Sequence, residues 1–291
     1  MKGRLFLRQP VFRFAPSPNG FLHLGHAFSA LLNLKMARET AGRFLLRIED
    51  IDIIRSRSEF EHSIYEDLAW LGLEWEMPVR RQSDHFADYS AALQRLASMG
   101  LIYPSFLSRT QIRQAVAAKG QPWPNDPLGV PLYPGNERDL DPAVIADRAA
   151  SGENHALRLN MKKALAIFGT KLTWTETGSG KAARVTCDPA AWGDVILARK
   201  ETPTSYHLSV TVDDALQGIT HVVRGMDLYQ STSIHRLLQT LLDYPEPVYH
   251  HHRLISGDNS PKLSKSAHAP SLRDMRMKGI TATEIREKLG F

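Results

Sequence analysis

Apolar positions along this chain follow two rhythms that take turns. VFRFAP (residues 11–16) is a short continuous apolar run stopped by Pro16 and Pro18, which predicts a buried strand. After the turn PSPNG, Leu24, Ala27, Phe28, Leu31 and Leu32 recur at helical spacing. The predicted helix ends near Ala41-Gly42, where glycine tolerates a left-handed cap. RFLLRIED (residues 43–50) then reads as a second strand. Strand, helix and strand within about 40 residues predict a right-handed βαβ unit with parallel strands.

Phe60, Ile64, Leu68 and Leu71 form one face of a next helix, closed by Gly72; Tyr89, Leu93 and Leu96 form that of another, closed by Gly100. From about residue 103 to 142 prolines and glycines accumulate (QPWPNDPLGVPLYPGNERDLDP), predicting an irregular excursion from the sheet. ALRLNM (156–161) looks β-like and TETGSGK (175–181) like a hairpin or mobile loop. GDVILAR, TSYHLSV and ITHVVRG restore regular alternation and predict a return to the first sheet, followed by a helix carrying Ile234, Leu237, Leu238 and Leu241. The tail holds PKLSKS (261–266) and a last helix in which Thr281 and Glu284 have capping-box spacing.

Composition narrows the class. The 291 residues, 43% hydrophobic and 23% charged, suit one main domain with an inserted or appended second unit. No apolar run approaches the roughly 20 residues that span a bilayer, and the basic N-terminus lacks the apolar stretch of a signal peptide. A single cysteine, Cys187, excludes an internal disulfide and a multi-cysteine metal site, which fits a reducing, cytoplasmic location. The formal charge of +5 favours polyanions only weakly.

Three constellations carry chemistry. His23 and His26 flank Leu24-Gly25 at the strand-to-helix turn, where imidazoles and exposed backbone N–H groups suit phosphate and the small Gly25 admits a base or ribose. The structural alternative is a cap at His23 beside a solvated His26. KLSKS (262–266) places Lys262 and Lys265 in a cationic loop that can hold ATP phosphates while charge develops on leaving pyrophosphate, or can be an ordinary solvated loop. On the two strands, Val11, Arg13 and Ala15 share one face, as do Arg47 and Glu49. If the strands are parallel, Arg13 and Glu49 lie towards the C-terminal ends, where ligands bind in open α/β sheets. There they can bind the two ends of an amino acid, or pair with each other as a plain salt bridge. Cys187 reads as a small buried residue rather than a nucleophile. Asp213 and Asp214 read as a turn or cap rather than Mg²⁺ ligands, and the HHH run at 250–252 as no metal site, because adjacent side chains diverge.

FAPSPNGFLHLGH, RFLLRIEDID, SYHLSVTVDDALQGITHVVRGMDL and PKLSKS, in that order, resemble the catalytic domain of the glutamyl-tRNA synthetases, a class I aminoacyl-tRNA synthetase family. HLGH stands at the HIGH-type motif and KLSKS at KMSKS, while RFAPSP and RIED point to the glutamate branch. The resemblance implies an α/β fold: a Rossmann-like doubly wound parallel sheet with an inserted, partly irregular subdomain and a short helical C-terminal tail. Its expected divisions are 1–103 for the first half of the catalytic domain, 104–190 for a connective or acceptor-type insertion, 191–248 for the second half, and 249–291 for the KLSKS loop and tail. It further implies that Arg13, Ala15 and Ser17 line a glutamate pocket, that Glu49 contacts the substrate amino group, and that Tyr206 and Arg224 complete the pocket. Arg224 would take the side-chain carboxylate bidentately. His23, Gly25, His26, Lys262 and Lys265 would bind ATP, with His23, His26 and Lys265 the catalytic set. The implied reaction is attack of the glutamate carboxylate on the ATP α-phosphorus, with Mg²⁺ on the phosphates, then transfer to an RNA hydroxyl.

Full-length enzymes of this kind continue past KMSKS into a large helical anticodon-binding part, whereas this chain stops 25 residues after Ser266. In that it resembles the short paralogues, the glutamyl-Q tRNA(Asp) synthetase family, which transfer glutamate to queuosine in the anticodon of tRNA(Asp). Val210, where full synthetases carry asparagine, and VVRGMDL fit the same branch. The implied partners are L-glutamate and a tRNA, tRNA(Asp), with no membrane and no obligate protein partner. Many family members hold zinc by three cysteines and a tyrosine in the insertion; YPSFLSRTQ has Ser105 and Leu107 there, so no structural zinc is expected and ordinary packing, with Trp123 and Tyr133 as candidates, must hold the insertion. Two other functions stay open: a truncated synthetase charging a tRNA 3′ end, and a non-catalytic RNA-binding paralogue. The last has no need of HLGH, KLSKS, Arg13, Glu49 and Arg224 together.

Overall fold

The structure, a computed structural model, describes residues 9–168, 172–255 and 270–291. It opens with β1 (Val11–Phe14), α1 (Leu24–Glu39) and β2 (Arg43–Ile48), the predicted βαβ unit, with the two strands parallel and Phe12 opposite Phe44. Phe12, Phe14, Phe44, Leu46 and Ile48 pack with α1 in one core cluster, whereas Val11 and Leu45 pack in another. Because a strand sends alternate side chains to opposite faces, Arg13, Arg47 and Glu49 fall on the side away from α1. The exit from α1 departs from expectation. Ala41, with φ of 50°, takes the left-handed conformation, while Gly42 answers to space: a Cβ there would stand 2.8 Å from the Pro10 carbonyl.

Next come α2 (Ser58–Trp70), β3 (Glu76–Arg81) and α3 (Phe86–Ser98), with Gly72 and Gly100 at positive φ closing the helices as expected. β3 has no counterpart in the sequence reading. It is an edge strand parallel to β2, exposed or half-buried throughout, so EMPVRR carries no apolar alternation. β4 (Ile102–Ser105), α4 (Arg109–Ala117), α5 (Pro142–Ala150), β5 (Ala156–Leu159) and α6 (Met161–Phe168) follow. The proline-rich segment is irregular between α4 and α5 apart from a 3₁₀ turn at Glu137–Asp139. β6 (Thr173–Glu176) and β7 (Ala183–Thr186) make the expected hairpin.

The remaining elements are β8 (Ile196–Arg199), α7 (Tyr206–Leu216), β9 (His221–Gly225), α8 (Thr232–Leu241), β10 (Val248–His252), α9 (Leu272–Met277) and α10 (Ala282–Leu289). Seven strands form the main sheet in the order β3-β2-β1-β9-β10-β6-β7, parallel except for the β6–β7 hairpin; β4, β5 and β8 form a small antiparallel sheet. Two strand readings are therefore corrected. GDVILAR supplies β8 of the small sheet, since a short apolar run does not disclose its partner. TSYHLSV is the start of helix α7. Its residues Leu208 to Asp214 are all buried, so no polar stripe betrays the helical period, and Ser205, whose Oγ accepts from the Leu208 N–H, caps it.

α1, α2, α9 and α10 share the core on one face of the main sheet. α3, α7 and α8 share a second core with Leu101, Leu159, Trp192 and Leu197 around the small sheet. Helices on both faces of a mostly parallel sheet make the fold the expected doubly wound α/β type. The tail is tied to the first core by Leu272 and Leu289, with capping boxes at Ser271 and, as expected, Thr281–Glu284.

Candidate active site

Parallel strands bring their C-terminal ends to one edge of the sheet. Arg13 on β1, Glu49 just past β2 and Arg224 on β9 meet there with Tyr206, the first residue of α7. Burial raises the Tyr206 pKa, and the charges that act on it, in order, are Arg224, Glu49 and Arg13. Ala15 is half-buried and Ser17 exposed on the loop that continues β1; Glu49 N–H donates to the Pro16 carbonyl at 2.9 Å, which holds that loop beside the cluster.

Arg13 does not pair with Glu49. Its Nε and Nη2 donate to the two oxygens of Asp214, at 2.9 and 3.3 Å, and Arg47 Nη1 donates to Asp214 at 2.8 Å. Arg47 Nη2 donates to Glu49 Oε1 at 3.0 Å. The neighbouring Asp213, fully buried, accepts from Arg80, Gln82 and Tyr89 at 2.7 to 3.0 Å. Asp213 and Asp214 are thus neither turn nor cap; they are consecutive helical residues that anchor arginines from three strands. Burial opposes the charge of Asp214, but Arg13 and Arg47 outweigh it and lower its pKa. Glu49 differs: burial raises its pKa against the pull of Arg47 and Arg13, and no partner for its Oε2 is seen among the described residues. A buried carboxyl with one unpaired oxygen suits an ammonium group.

Arg224 has different company. Nε donates to His251 Nε2 at 3.1 Å, Nη1 to His235 Nδ1 at 3.0 Å, and Nη2 to Thr232 Oγ1 at 2.8 Å and the Leu228 carbonyl at 3.2 Å. Every partner is uncharged, and among the described residues no carboxylate forms an ion pair with it, although the side chain is only 6% exposed. Four of the five N–H donors of a guanidinium are therefore engaged, leaving one on Nη1. The bidentate grip expected for this arginine is not available; one charged hydrogen bond is. His251 Nδ1 stands 2.6 Å from Glu176 Oε2, and Glu176 also accepts from the His251 and Gly178 N–H groups. Burial would raise the Glu176 pKa, but these bonds hold it down at about 2.

At the N-terminus of α1 the two histidines cap the helix reciprocally: Gly25 N–H donates to His23 Nδ1 and His23 N–H to His26 Nδ1, at 3.1 and 3.2 Å. Backbone N–H groups can only donate, so both Nδ1 atoms carry lone pairs and both Nε2 atoms carry the proton. Burial lowers both pKa values, that of His26 to about 3, so the pair offers neutral N–H donors at neutral pH. The N–H groups of His23, Gly25, His26 and Ala27 are all used within the turn, contrary to the expectation of exposed backbone donors. The two rings lie 3.9 Å apart and tilted by 37°, and a Cβ at Gly25 would crowd the His23 ring at 3.0 Å. Lys262 and Lys265 lie outside the described residues.

Around Ser105, one of the positions expected to lack a zinc ligand, Tyr103 OH donates to Asp194, Ser105 Oγ donates to the Ala156 carbonyl and accepts from Arg158, and Arg158 lies 3.9 Å over the Tyr133 ring. Tyr133 OH donates to Glu137, and Trp123 Nε1 to the Leu132 carbonyl. These groups satisfy one another and do not form a zinc donor set. Among the described residues no three His, Cys, Asp or Glu side chains converge to hold a metal ion, and the HHH run scatters: His251 faces Arg224 and Glu176, His250 Thr177, and His252 Phe28. Cys187 is buried, its thiol pushed up to about 11 by burial.

Sequence reasoning assigns no role in this site to Arg47, Asp214, His207, His235, His251, Thr232 or Glu176. Some signal existed for two of them. Asp214 is half of an acidic pair in an otherwise apolar segment, and His235 breaks the apolar run Ile234, Leu237, Leu238 and Leu241. Nothing local marks Glu176, which reaches the site only through sheet pairing.

A family model described as tRNA synthetases class I (E and Q), catalytic domain, matches residues 10–284. A "Glutamyl-Q tRNA(Asp) synthetase" of Rhodobacter capsulatus is 46% identical over 97% of this chain and 100% of its own length. One of Symbiobacterium thermophilum is 36% identical over 96% of this chain and 85% of its own. A "Glutamate--tRNA ligase" of Aquifex aeolicus is also 36% identical, over 92% of this chain but only 54% of its own length. Among solved structures, a glutamate tRNA ligase from Elizabethkingia meningosepticum, in complex with its amino acid, superposes with a TM-score of 0.71 at 24% identity over 93% of this chain and 53% of that one. That likeness speaks for the fold. With the motifs, the doubly wound sheet and full-length similarity to named relatives in agreement, the chain belongs to the class I tRNA synthetases for glutamate and glutamine, as a ligase similar end to end to the glutamyl-Q tRNA(Asp) synthetases.

Proposed function

We propose that this ligase activates L-glutamate with ATP and transfers the glutamyl group to queuosine in the anticodon of tRNA(Asp). The observation that carries the reading is Arg224: a buried guanidinium with only neutral partners, beside Tyr206, at the sheet edge that also holds the half-paired Glu49. A buried cation without a counter-ion is costly unless a ligand supplies one. Glutamate supplies it through its side-chain carboxylate on Arg224, while Glu49 takes the ammonium group. Arg13, Ala15 and Ser17 line the remaining side of the pocket, with Arg13 fixed by Asp214.

The α-carboxylate oxygen then attacks the ATP α-phosphorus, the bond to the β-phosphate oxygen breaks, and pyrophosphate leaves. His23 and His26 contribute neutral Nε2–H donors to the nucleotide, and Gly25 leaves room for the His23 ring. Lys262 and Lys265 bring the charge that stabilises departing pyrophosphate. Class I synthetases use ATP, generally with Mg²⁺, which neutralises phosphate charge when bound. In the second step a queuosine hydroxyl oxygen attacks the activated carbonyl and AMP leaves. The reading places this chemistry in the cytoplasm, and no helix among the described residues is long and apolar enough to cross a membrane. It also has the insertion held without zinc, by the cluster around Tyr103, Arg158 and Tyr133.

The acceptor is supported by the names and full-length match of the relatives, and it is the part to test first. Purified protein, ATP and radiolabelled glutamate are incubated with tRNA(Asp) carrying or lacking queuosine. The expected result is label on the queuosine-containing tRNA alone. Label on unmodified tRNA(Glu) would replace the reading with 3′-end charging; no label, together with no glutamate-dependent pyrophosphate exchange, would leave a non-catalytic paralogue.

A further inference from the structure

The arrangement around Arg224 determines the protonation of its neighbours by logic alone. A guanidinium donates and never accepts. His251 Nε2 and His235 Nδ1, both facing it, must therefore carry lone pairs. His251 then holds its proton on Nδ1, towards Glu176. His235 holds its proton on Nε2, which faces His207 Nδ1 at 3.1 Å. The reverse direction would strip His235 of both protons, so His207 Nδ1 is the acceptor and His207 Nε2 carries the hydrogen. The resulting chain runs Glu176, His251, Arg224, His235, His207, and the one carboxylate in it is separated from the guanidinium by an imidazole. His235 is 2% exposed and His251 1%. Burial, followed by the charge of Arg224, lowers the pKa of His207 to about 4 and that of His235 well below the ordinary value.

We propose that His235 is a specificity-determining positioning residue: as an uncharged acceptor it orients Arg224 without neutralising it, so that the pocket demands an anionic side chain and rejects the carboxamide of glutamine. Thr232 and His251 serve the same end from the other nitrogens. A carboxylate in place of any of them would hold Arg224 equally well and would occupy the charge that glutamate must meet. The inference rests on the reading of Arg224 as the receptor for the glutamate side chain.

Glutamate- and glutamine-dependent pyrophosphate exchange distinguishes the two levels. His235→Asp places an anion where Nδ1 stood. It should raise KM for glutamate by about 30-fold or more, with kcat changed much less, and should shrink the preference over glutamine by a similar factor. His235→Asn keeps a neutral acceptor and should hold KM within about threefold of wild type. Thr232→Asp, which brings the same charge to Nη2, should reproduce the His235→Asp effect. A folded His235→Asp protein with unchanged KM and selectivity overturns the proposal, as does an Asn variant that raises KM tenfold. The second criterion holds even where the Asp variants fail to fold. Arg224→Ala, run alongside, separates the levels: if it too leaves KM for glutamate unchanged, the receptor reading itself falls, whereas a large effect there with none at His235→Asp sinks only the inference.

Discussion

Two groups of buried arginines lie at the same sheet edge and are treated in opposite ways. Arg13 and Arg47 are clasped by carboxylates, chiefly Asp214 on α7 and Glu49. Arg224, equally buried, is clasped by two imidazoles, a hydroxyl and a carbonyl. The first arrangement compensates charge internally, so its cations are not available as strong anion receptors. The second supplies geometry without compensation. Burial alone does not separate a structural arginine from a receptor arginine; the charge of its partners does.

Removing a partner from the compensated group should have the largest effect on the fold. Asp214→Ala leaves Arg13 and Arg47 sharing a buried site with too little negative charge, a loss of about 3–5 kcal/mol. For a chain of this size that corresponds to a fall in Tm of roughly 10 °C. Thermal unfolding checks it, and a Tm within a degree or two of wild type would show that water or rearrangement compensates what the geometry assigns to Asp214. Arg224→Ala is the contrasting case. It removes an uncompensated charge, so the expected stability loss is only about 1–2 kcal/mol, from cavity and lost hydrogen bonds. Glutamate-dependent pyrophosphate exchange should nevertheless drop by about 10³-fold in kcat/KM, in line with the loss of a desolvated charged contact. A protein that loses stability as heavily as the Asp214 variant but keeps its exchange activity would invert the comparison.

This contrast was half legible in the sequence. Arg13 and Glu49 stand out because strand alternation and the βαβ reading send them to a ligand-binding edge, and Arg224 through the family resemblance; the structure brings all three there. Their partners were hidden for physical reasons. Asp213 and Asp214 read as a turn or cap after an apparent strand, on which neighbours would diverge by half a turn, but α7 is helical and buried all round, so periodicity points to the wrong element. His251 was passed over within a histidine run, since adjacent residues on a strand cannot share a metal; alternation instead gives each a separate neighbour. Glu176 joins only because β6, on a hairpin assigned to the insertion, pairs with β10 of the main sheet; Gly178 permits it, as a Cβ there would collide with the His251 carbonyl. Long-range pairing of this kind leaves no trace in a local pattern.

Acid titration separates the two regions by the smallest of these effects, and the sign follows from the direction of each shift. His207, His235 and His251 have pKa values lowered below 6.5 in the folded chain, that of His207 to about 4. Between those values the unfolded chain binds protons that the folded chain refuses, so stability declines as pH falls from 6.5 towards 4. The penalty has the same sign for His235 and His251, which are almost fully enclosed. Asp214, whose pKa is lowered from 3.8, contributes stability that is intact above that value and is lost only at lower pH. Lowering the pH from 7 to 5 therefore acts on the Arg224 surroundings and spares Asp214. Other half-buried imidazoles, His26 and His221 among them, add to the total slope, so the informative quantity is a difference between proteins. His235→Asn removes one titrating group and should flatten the dependence of Tm on pH between 7 and 5, whatever its offset at pH 7. Asp214→Asn should lower Tm at every pH in that range by a similar amount and leave the slope unchanged. If the Asp214 variant flattens the slope while the His235 variant keeps it, the histidines around Arg224 are not held neutral by the fold, and the distinction between a compensated and an uncompensated arginine loses its basis.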